Sequence, residues 1–347
     1  MMLSAAKDMM GDRAPTSTVL LCDILPSFIV KLGFPFIVDK IPQLINILMI
    51  AILGIMGFTF AAFTRNNIVL GLAGVVINSA SGGIGEVAFL AYTSKFSTQI
   101  VSAWSIGTGL AGITASGLYA ILADVAGVKY ETIIYIFCWL PVLMIVAHFF
   151  TDPAKSPGQN KFDEEETLVQ SVTQEKKNTK QKLNSLGEVW IYMFAQFLVY
   201  ISEYTINHSV NPVIEFKSNP DQYYTFANFA YQIGMFLMRC SLPVFKLPRQ
   251  LVIAPAIMQF LLLVMFSFEA IYQFINIFWL MIFICFIEGL IGGLTNVSAL
   301  YWISKMSDQS NREFRMGIST LFGTSGVLIS SVAGMWYEQL LKSLRRV

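Results

Sequence analysis

Charge is what this chain has least of. Only 13% of its 347 residues are Asp, Glu, Lys or Arg, against about 25% in soluble domains. A chain so poor in charge cannot cover a water-facing surface. The formal net charge of +1 supplies no field that would hold nucleic acid. Cysteine is scarce as well. Cys22, Cys138, Cys240 and Cys285 stand singly in apolar runs, with neither metal-ligand spacing nor a disulfide framework, and read as small buried hydrophobes. There is no phosphate-binding Gly loop, Ser-His-Asp set or metal cluster. No cofactor and no catalytic residue is expected, which argues against an enzyme.

What the chain has in excess is apolar surface. Hydrophobic residues make up 55% and the mean hydropathy is +0.61. A membrane-spanning helix needs about 20 mainly apolar residues. Ten stretches qualify: 18–38, 44–63, 68–92, 100–122, 132–150, 189–210, 223–242, 251–270, 274–303 and 314–341. Residues 1–10 form a stub that reads as the tail of a helix whose beginning is absent, and no cleavable signal peptide is visible. Between the fifth and sixth stretches, Asp163–Glu166 and Lys176, Lys177, Lys180 and Lys182 lie in a segment with few core-forming residues, expected to be solvated and disordered. The expected fold class is all-α, a polytopic membrane protein with a major-facilitator-like plan. Residues 1–150 form one helical bundle, 151–187 a cytosolic linker and 188–347 a second bundle. Placing the linker in the cytosol puts most Lys and Arg on that side, as the positive-inside bias requires.

Three short patterns recur in the same order. Lys31-Leu32-Gly33-Phe34-Pro35 is matched by Arg239-Cys240-Ser241-Leu242-Pro243, Glu86 with its glycines by Glu288, and Gly107-Thr108-Gly109 by Gly323-Thr324-Ser325-Gly326. Repeats running the same way imply a pseudo-two-fold axis along the membrane normal.

Polar residues inside such spans are costly, roughly 2.5–3.5 kcal/mol for a charge at the bilayer centre, and face the bundle interior. Those present are Asp23, Lys31, Glu86, Glu203, His208, Gln232, Arg239, Glu288 and Asn296. Glu86 and Glu288 are candidates for proton uptake; the alternative is a structural hydrogen bond locking adjacent helices. Tyr200, Glu203, Tyr204 and Asn207 share one helix face, the best cavity-lining face in the chain. His208, near its end, reads more simply as a surface histidine. Lys31 and Arg239 are candidates for holding an anionic group. Against this, Arg239 could snorkel to the headgroups, and Lys31 could pair with Asp23 eight residues earlier. The sequon Asn207-His208-Ser209 lies against the membrane edge, Asn296-Val297-Ser298 lies inside a span, and neither is expected to carry glycan. Glu164-Glu165-Glu166-Thr167-Leu168-Val169 approximates an acidic dileucine signal that sorting adaptors could read.

Several of these motifs together resemble the battenin family: Ala80 to Val87, Trp104 to Gly109, Glu203 to Asn207, Tyr231 to Gly234, Glu288 to Gly293, Arg312 to Phe314, Met2 to Ala6 and Asp23 to Pro26. The resemblance implies an eleven-helix, major-facilitator-like protein of lysosomal, late-endosomal or vacuolar membranes. It also implies export of glycerophosphodiesters, a part in lysosomal pH balance, or transport of basic amino acids. A phosphodiester suits Lys31 and Arg239; a basic amino acid suits Glu86, Glu203 and Glu288. Relative to the family, the N-terminus and most of the first helix are missing, the loop after it is reduced to Gly11–Thr16, and no C-terminal prenylation motif is present. This form alone is therefore expected to transport poorly.

The leading expectation is a transporter for small polar solutes, with Lys31, Glu86, Glu203, Tyr204, Asn207, Gln232, Arg239 and Glu288 on the solute or proton path. A membrane scaffold in endolysosomal trafficking is the alternative from another class. The expected partners are a small polar or anionic solute, protons, the lipid bilayer and sorting adaptors at the linker, with no nucleic acid.

Overall fold

The computed structural model describes residues 2–11, 13–34, 37, 41–93, 98–150, 185–216, 222–240, 247–306 and 309–345. Of the expected linker 151–187, residues 151–184, with the acidic and basic clusters and the dileucine-like motif, lie outside the described residues, and its end is a 3-10 turn, Ser185–Glu188, where disorder was expected.

The elements are all helical: α1 Ala6–Met10, α2 Ser17–Gly33, α3 Gln43–Ala62, α4 Ile68–Thr93, α5 Thr98–Ala120, α6 Tyr130–Phe137 and α7 Leu140–Phe150 before the linker. After it come α8 Trp190–Thr205, α9 Tyr223–Cys240, α10 Ile253–Tyr272, α11 Phe278–Lys305 and α12 Gln309–Arg345. Among the described residues, six stretches are long and apolar enough to cross a membrane: Gln43–Arg65, Ile68–Phe89, Tyr130–Phe150, Arg249–Tyr272, Phe278–Ile303 and Ile318–Arg345. The chain is an all-α polytopic membrane protein.

Four of the ten expected spans fall outside that set: those built on α2, α5, α8 and α9. The causes are local. α2 runs unbroken through Asp23, Pro26 and Lys31 but is only 17 residues long; α8 gives way to a π-helical turn, Ile206–Val210; α9 carries Asn228, Gln232 and Arg239; and α5 lies partly beyond the described side chains. These helices do not face lipid all round. α5 packs against α9 and α2 against α12, joining the two halves of the chain, while α8 lies against α10, α11 and α12. The expected span 132–150 is broken into α6 and α7 because Pro141 lacks an N–H and crowds the carbonyl four residues back.

The contact pattern repeats. α2 lies on α4 as α9 lies on α11, and α5 touches α9 as α12 touches α2. These pairings are the ones the Lys31/Arg239, Glu86/Glu288 and Gly107/Gly323 matches require. Glycine permits the second tight pair: a Cβ on Gly289 would stand 2.1 Å from the Tyr231 carbonyl oxygen, and one on Gly234 2.3 Å from that of Phe286. Backbones this close are the usual means of packing membrane helices, where no hydrophobic force draws helices together.

The first tight pair is built around Pro26. Proline opens the α2 ladder, and a side chain can enter such an opening. The Ser79 hydroxyl of α4 does so, accepting from Ser27 N at 3.1 Å and donating to the Asp23 carbonyl. One turn further, Gly83 lets α4 lie directly against Ser27. Each half also has its own apolar core, one gathering Met9, Val19, Tyr119 and Ile133, the other Ile206, Tyr223, Phe266 and Met281.

Candidate functional site

The seam between α8, α9 and α5 encloses a cavity of about 140 Å³. Glu203, Tyr204, Asn207 and His208 form one wall, Asn228, Tyr231 and Gln232 a second, and Gly112 and Ser116 a third; Leu3 and Ser4 close one end. Of the face expected on α8, Glu203, Tyr204 and Asn207 line this cavity and Tyr200 does not. Tyr200, Tyr204 and His208 follow one another at i, i+4 and i+8, with ring centroids 6.0 Å and 5.7 Å apart. The π-helical turn that begins at Ile206 is of a kind often met at functional sites. His208 is not at the surface as expected: it is 5% exposed, with Nδ1 3.3 Å from the Tyr224 hydroxyl. Tertiary packing of α9 over the turn covers it, which its place near a helix end did not reveal.

Glu203 is 2% exposed. The Tyr231 hydroxyl donates to its Oε1, and its Oε2, turned toward Gly292, has no hydrogen-bond partner. Arg239 lies at the far end of α9 and is exposed. Its charge acts on Tyr200, Tyr231, Glu203 and Tyr204, which places the guanidinium on the same side as the cavity-lining face. Among the described residues it makes no ion pair.

Lys31 does not pair with Asp23. Eight residues of α-helix separate the two by about 12 Å along the axis. The close α2–α4 contact instead brings Glu86 to Lys31, Nζ to Oε2 2.6 Å, with side-chain exposures of 23% and 51%. Glu86 also acts electrostatically on Tyr200, so this pair, Tyr200 and Arg239 look into one region. Lys31, Glu86 and Arg239 nonetheless stand outside the cavity lining itself.

Glu288 also does not line the cavity. It is wholly buried behind Asn207, whose Nδ2 donates to Glu288 Oε1 at 2.9 Å and to the Glu203 carbonyl at 3.0 Å. Asn296 is likewise internal, donating to the Tyr200 hydroxyl at 2.7 Å and accepting from Gln196 at 3.3 Å. Both sequons are buried at Asn207 and Asn296.

Sequence reasoning missed Asn228, Tyr231, Gln196 and Gln259. A signal was there for three of them, since an uncharged amide in an apolar run carries the same implication as a charge, at lower cost. Tyr231 stood only in the Tyr231–Gly234 motif that resembles the battenin family, and its spacing assigned it no role.

The family model described as CLN3 protein matches residues 1–344. The chain belongs to the CLN3 (battenin) family. It is 33% identical to Protein BTN1 of Yarrowia lipolytica, over 97% of this chain and 89% of that one. It is 30% identical to Protein btn-1 of Neurospora crassa, over 97% and 83%, and 28% identical to Protein btn1 of Schizosaccharomyces pombe, over 98% and 89%.

Proposed function

We propose that this CLN3-family chain carries a small polar, anionic solute across the lysosomal, late-endosomal or vacuolar membrane, with a glycerophosphodiester as the first candidate. The observation that carries the reading is the Arg239 guanidinium, which makes no ion pair among the described residues and lies toward the same side as a cavity walled mainly by hydrogen-bonding side chains. Lys31 is paired with Glu86, so among the described residues around that cavity Arg239 is the cation left to meet an anion, and a guanidinium suits the paired oxygens of a phosphodiester. Asn207, Asn228 and Gln232 offer donors and acceptors for hydroxyl groups. Glu203 is placed to exchange a proton with the cavity, which would link export to luminal acidity and so to lysosomal pH balance. The cavity is small beside an intact glycerophosphodiester, so passage requires the two halves to part further. The repeated α2/α9, α4/α11 and α5/α12 pairings supply the two related parts that alternating access needs, in the manner of major facilitator proteins.

The unpartnered Oε2 of Glu203 favours a second reading, a basic amino acid. Flux in proteoliposomes separates the two. Uptake of a labelled glycerophosphodiester that falls at least tenfold in Arg239→Ala and recovers in part in Arg239→Lys supports the first. Arginine uptake that falls in Glu203→Gln supports the second. Flux that is unchanged in both variants returns the reading to a membrane scaffold, which should tolerate either change.

A further inference from the structure

Behind the cavity wall, α8, α10 and α11 enclose a second polar cluster centred on Glu288 and Gln259, both 0% exposed. Glu288 Oε1 accepts from Asn207 at 2.9 Å and from Gln259 Nε2 at 3.3 Å. Glu288 Oε2 and Gln259 Oε1 are buried with no donor, and so is Glu203 Oε2, which lies over Gly292, one turn along α11 from Glu288. A buried acceptor left unsatisfied is costly, and more so if charged.

Among the described residues no protein group fills the gap. Glu203 acts on Glu288, and the other titratable groups around it are Tyr223 and Tyr231 of α9 and Cys285 of α11. The Tyr223 hydroxyl is engaged with Asn211 Oδ1 at 3.0 Å, and that of Tyr231 with Glu203. Among the described residues, no Lys or Arg acts on Glu288. No group of three or more His, Cys, Asp or Glu gathers there or elsewhere among the described residues, which does not suit a divalent or transition metal.

We propose that Glu288 Oε2 and Gln259 Oε1 form a monovalent-cation site, filled by a proton or a sodium ion. Either one supplies the missing positive partner to a carboxyl and an amide oxygen. Asn207 ties the site to the cavity, since its amide donates to Glu288 while the residue also lines the solute space. The site's existence does not depend on what the cavity carries.

The test is the thermal midpoint of the purified full chain in detergent. One arm exchanges choline chloride for sodium chloride at constant ionic strength and pH 7.5. The other lowers pH from 7.5 to 5.0 in choline chloride. A bound ion raises the midpoint by about 2–4 °C per tenfold rise in its activity. A rise on the first arm identifies sodium, and a rise on the second identifies the proton. In Glu288→Gln, which replaces the carboxylate with a neutral amide, the sodium response disappears and the pH response falls by the share of one proton, the buried Glu203 carboxyl keeping its own. Gln259→Met reads the site independently, with the response moved to at least tenfold higher ion activity. A wild-type midpoint flat on both arms overturns the proposal, as does an unchanged response in both variants. The melt involves no flux, so its failure is distinct from failure of the transport reading.

Discussion

Lys31 Nζ lies 2.6 Å from Glu86 Oε2 across the α2–α4 contact, and this single pairing decides which cation of the seam is free. The pair is partly exposed, so its own contribution to stability is small, about 0.5–1 kcal/mol. Its larger effect is on charge: with Glu86 ionised, Lys31 offers little to a passing anion. Glu86→Gln is expected to leave the thermal midpoint within a few degrees of wild type while lowering the half-saturating concentration of an anionic solute. Glu86→Gln/Lys31→Met should reverse that gain. Concentration-dependent uptake measures both, and an affinity that falls in Glu86→Gln counts against a free Lys31 as an anion ligand.

Tyr231 and Glu203 offer a second check. Tyr231→Phe removes the hydroxyl that donates to Glu203 Oε1, leaving a buried carboxyl with both oxygens unpartnered, since Oε2 already has no donor. The expected loss is about 1–3 kcal/mol of stability. Glu203→Gln/Tyr231→Phe should lose less than the sum of the single changes, because the two groups share one interaction. Chemical or thermal unfolding in detergent gives the comparison.

Gly289 and Gly82 sit in corresponding small-residue helices with opposite surroundings. A methyl group on Gly289 meets backbone at 2.1 Å, whereas one on Gly82 meets nothing within 4 Å. Gly289→Ala must separate α9 from α11 and is expected to cost at least about 1–3 kcal/mol. Gly82→Ala should be neutral or slightly stabilising, since alanine is the better helix former. Equal midpoints for the two variants would place the tight contact elsewhere.

Much of this was legible in the sequence. The helical, membrane-spanning kind of the chain follows from run length, although among the described residues six of the ten expected stretches reach spanning length and one of those is split into α6 and α7; the α2/α9, α4/α11 and α5/α12 relations followed from three short matches. Spacing put Glu203, Tyr204 and Asn207 on one face of the α8 stretch, and those three reach one cavity, while Tyr200 stands outside it. Side-chain pairing was harder to read. Lys31 belongs to Glu86 rather than Asp23 because a proline, a serine hydroxyl and a glycine set how α2 meets α4, and no local rule contains that geometry. Glu288 looked like a partner in kind to Glu86, yet one is wholly buried and the other half-exposed. Helix rotation about its own axis decides this, and short repeats do not encode it.

The seam itself is held at one end by hydrogen bonds between the two halves. Thr16 N donates to Glu338 Oε2 at 2.7 Å, Ser17 Oγ donates to the His208 carbonyl at 2.9 Å, and Tyr224 donates to the Leu3 carbonyl at 2.8 Å. Ser17 Oγ and Ser209 Oγ lie 2.9 Å apart. Lys31 is fourteen residues along α2 from Ser17, about 21 Å at 1.5 Å per residue, so the bonded end and the charged region are well separated. If alternating access operates, these bonds break and re-form in each cycle. Ser17→Cys/Ser209→Cys places two thiols where the hydroxyls now touch, within reach of a disulfide after small adjustment. Oxidation should then stop uptake, and reduction should restore it, while each single cysteine variant is indifferent to both treatments. A cross-linked protein that transports at the wild-type rate would mean that this end of the seam does not open, and that any solute leaves by another route.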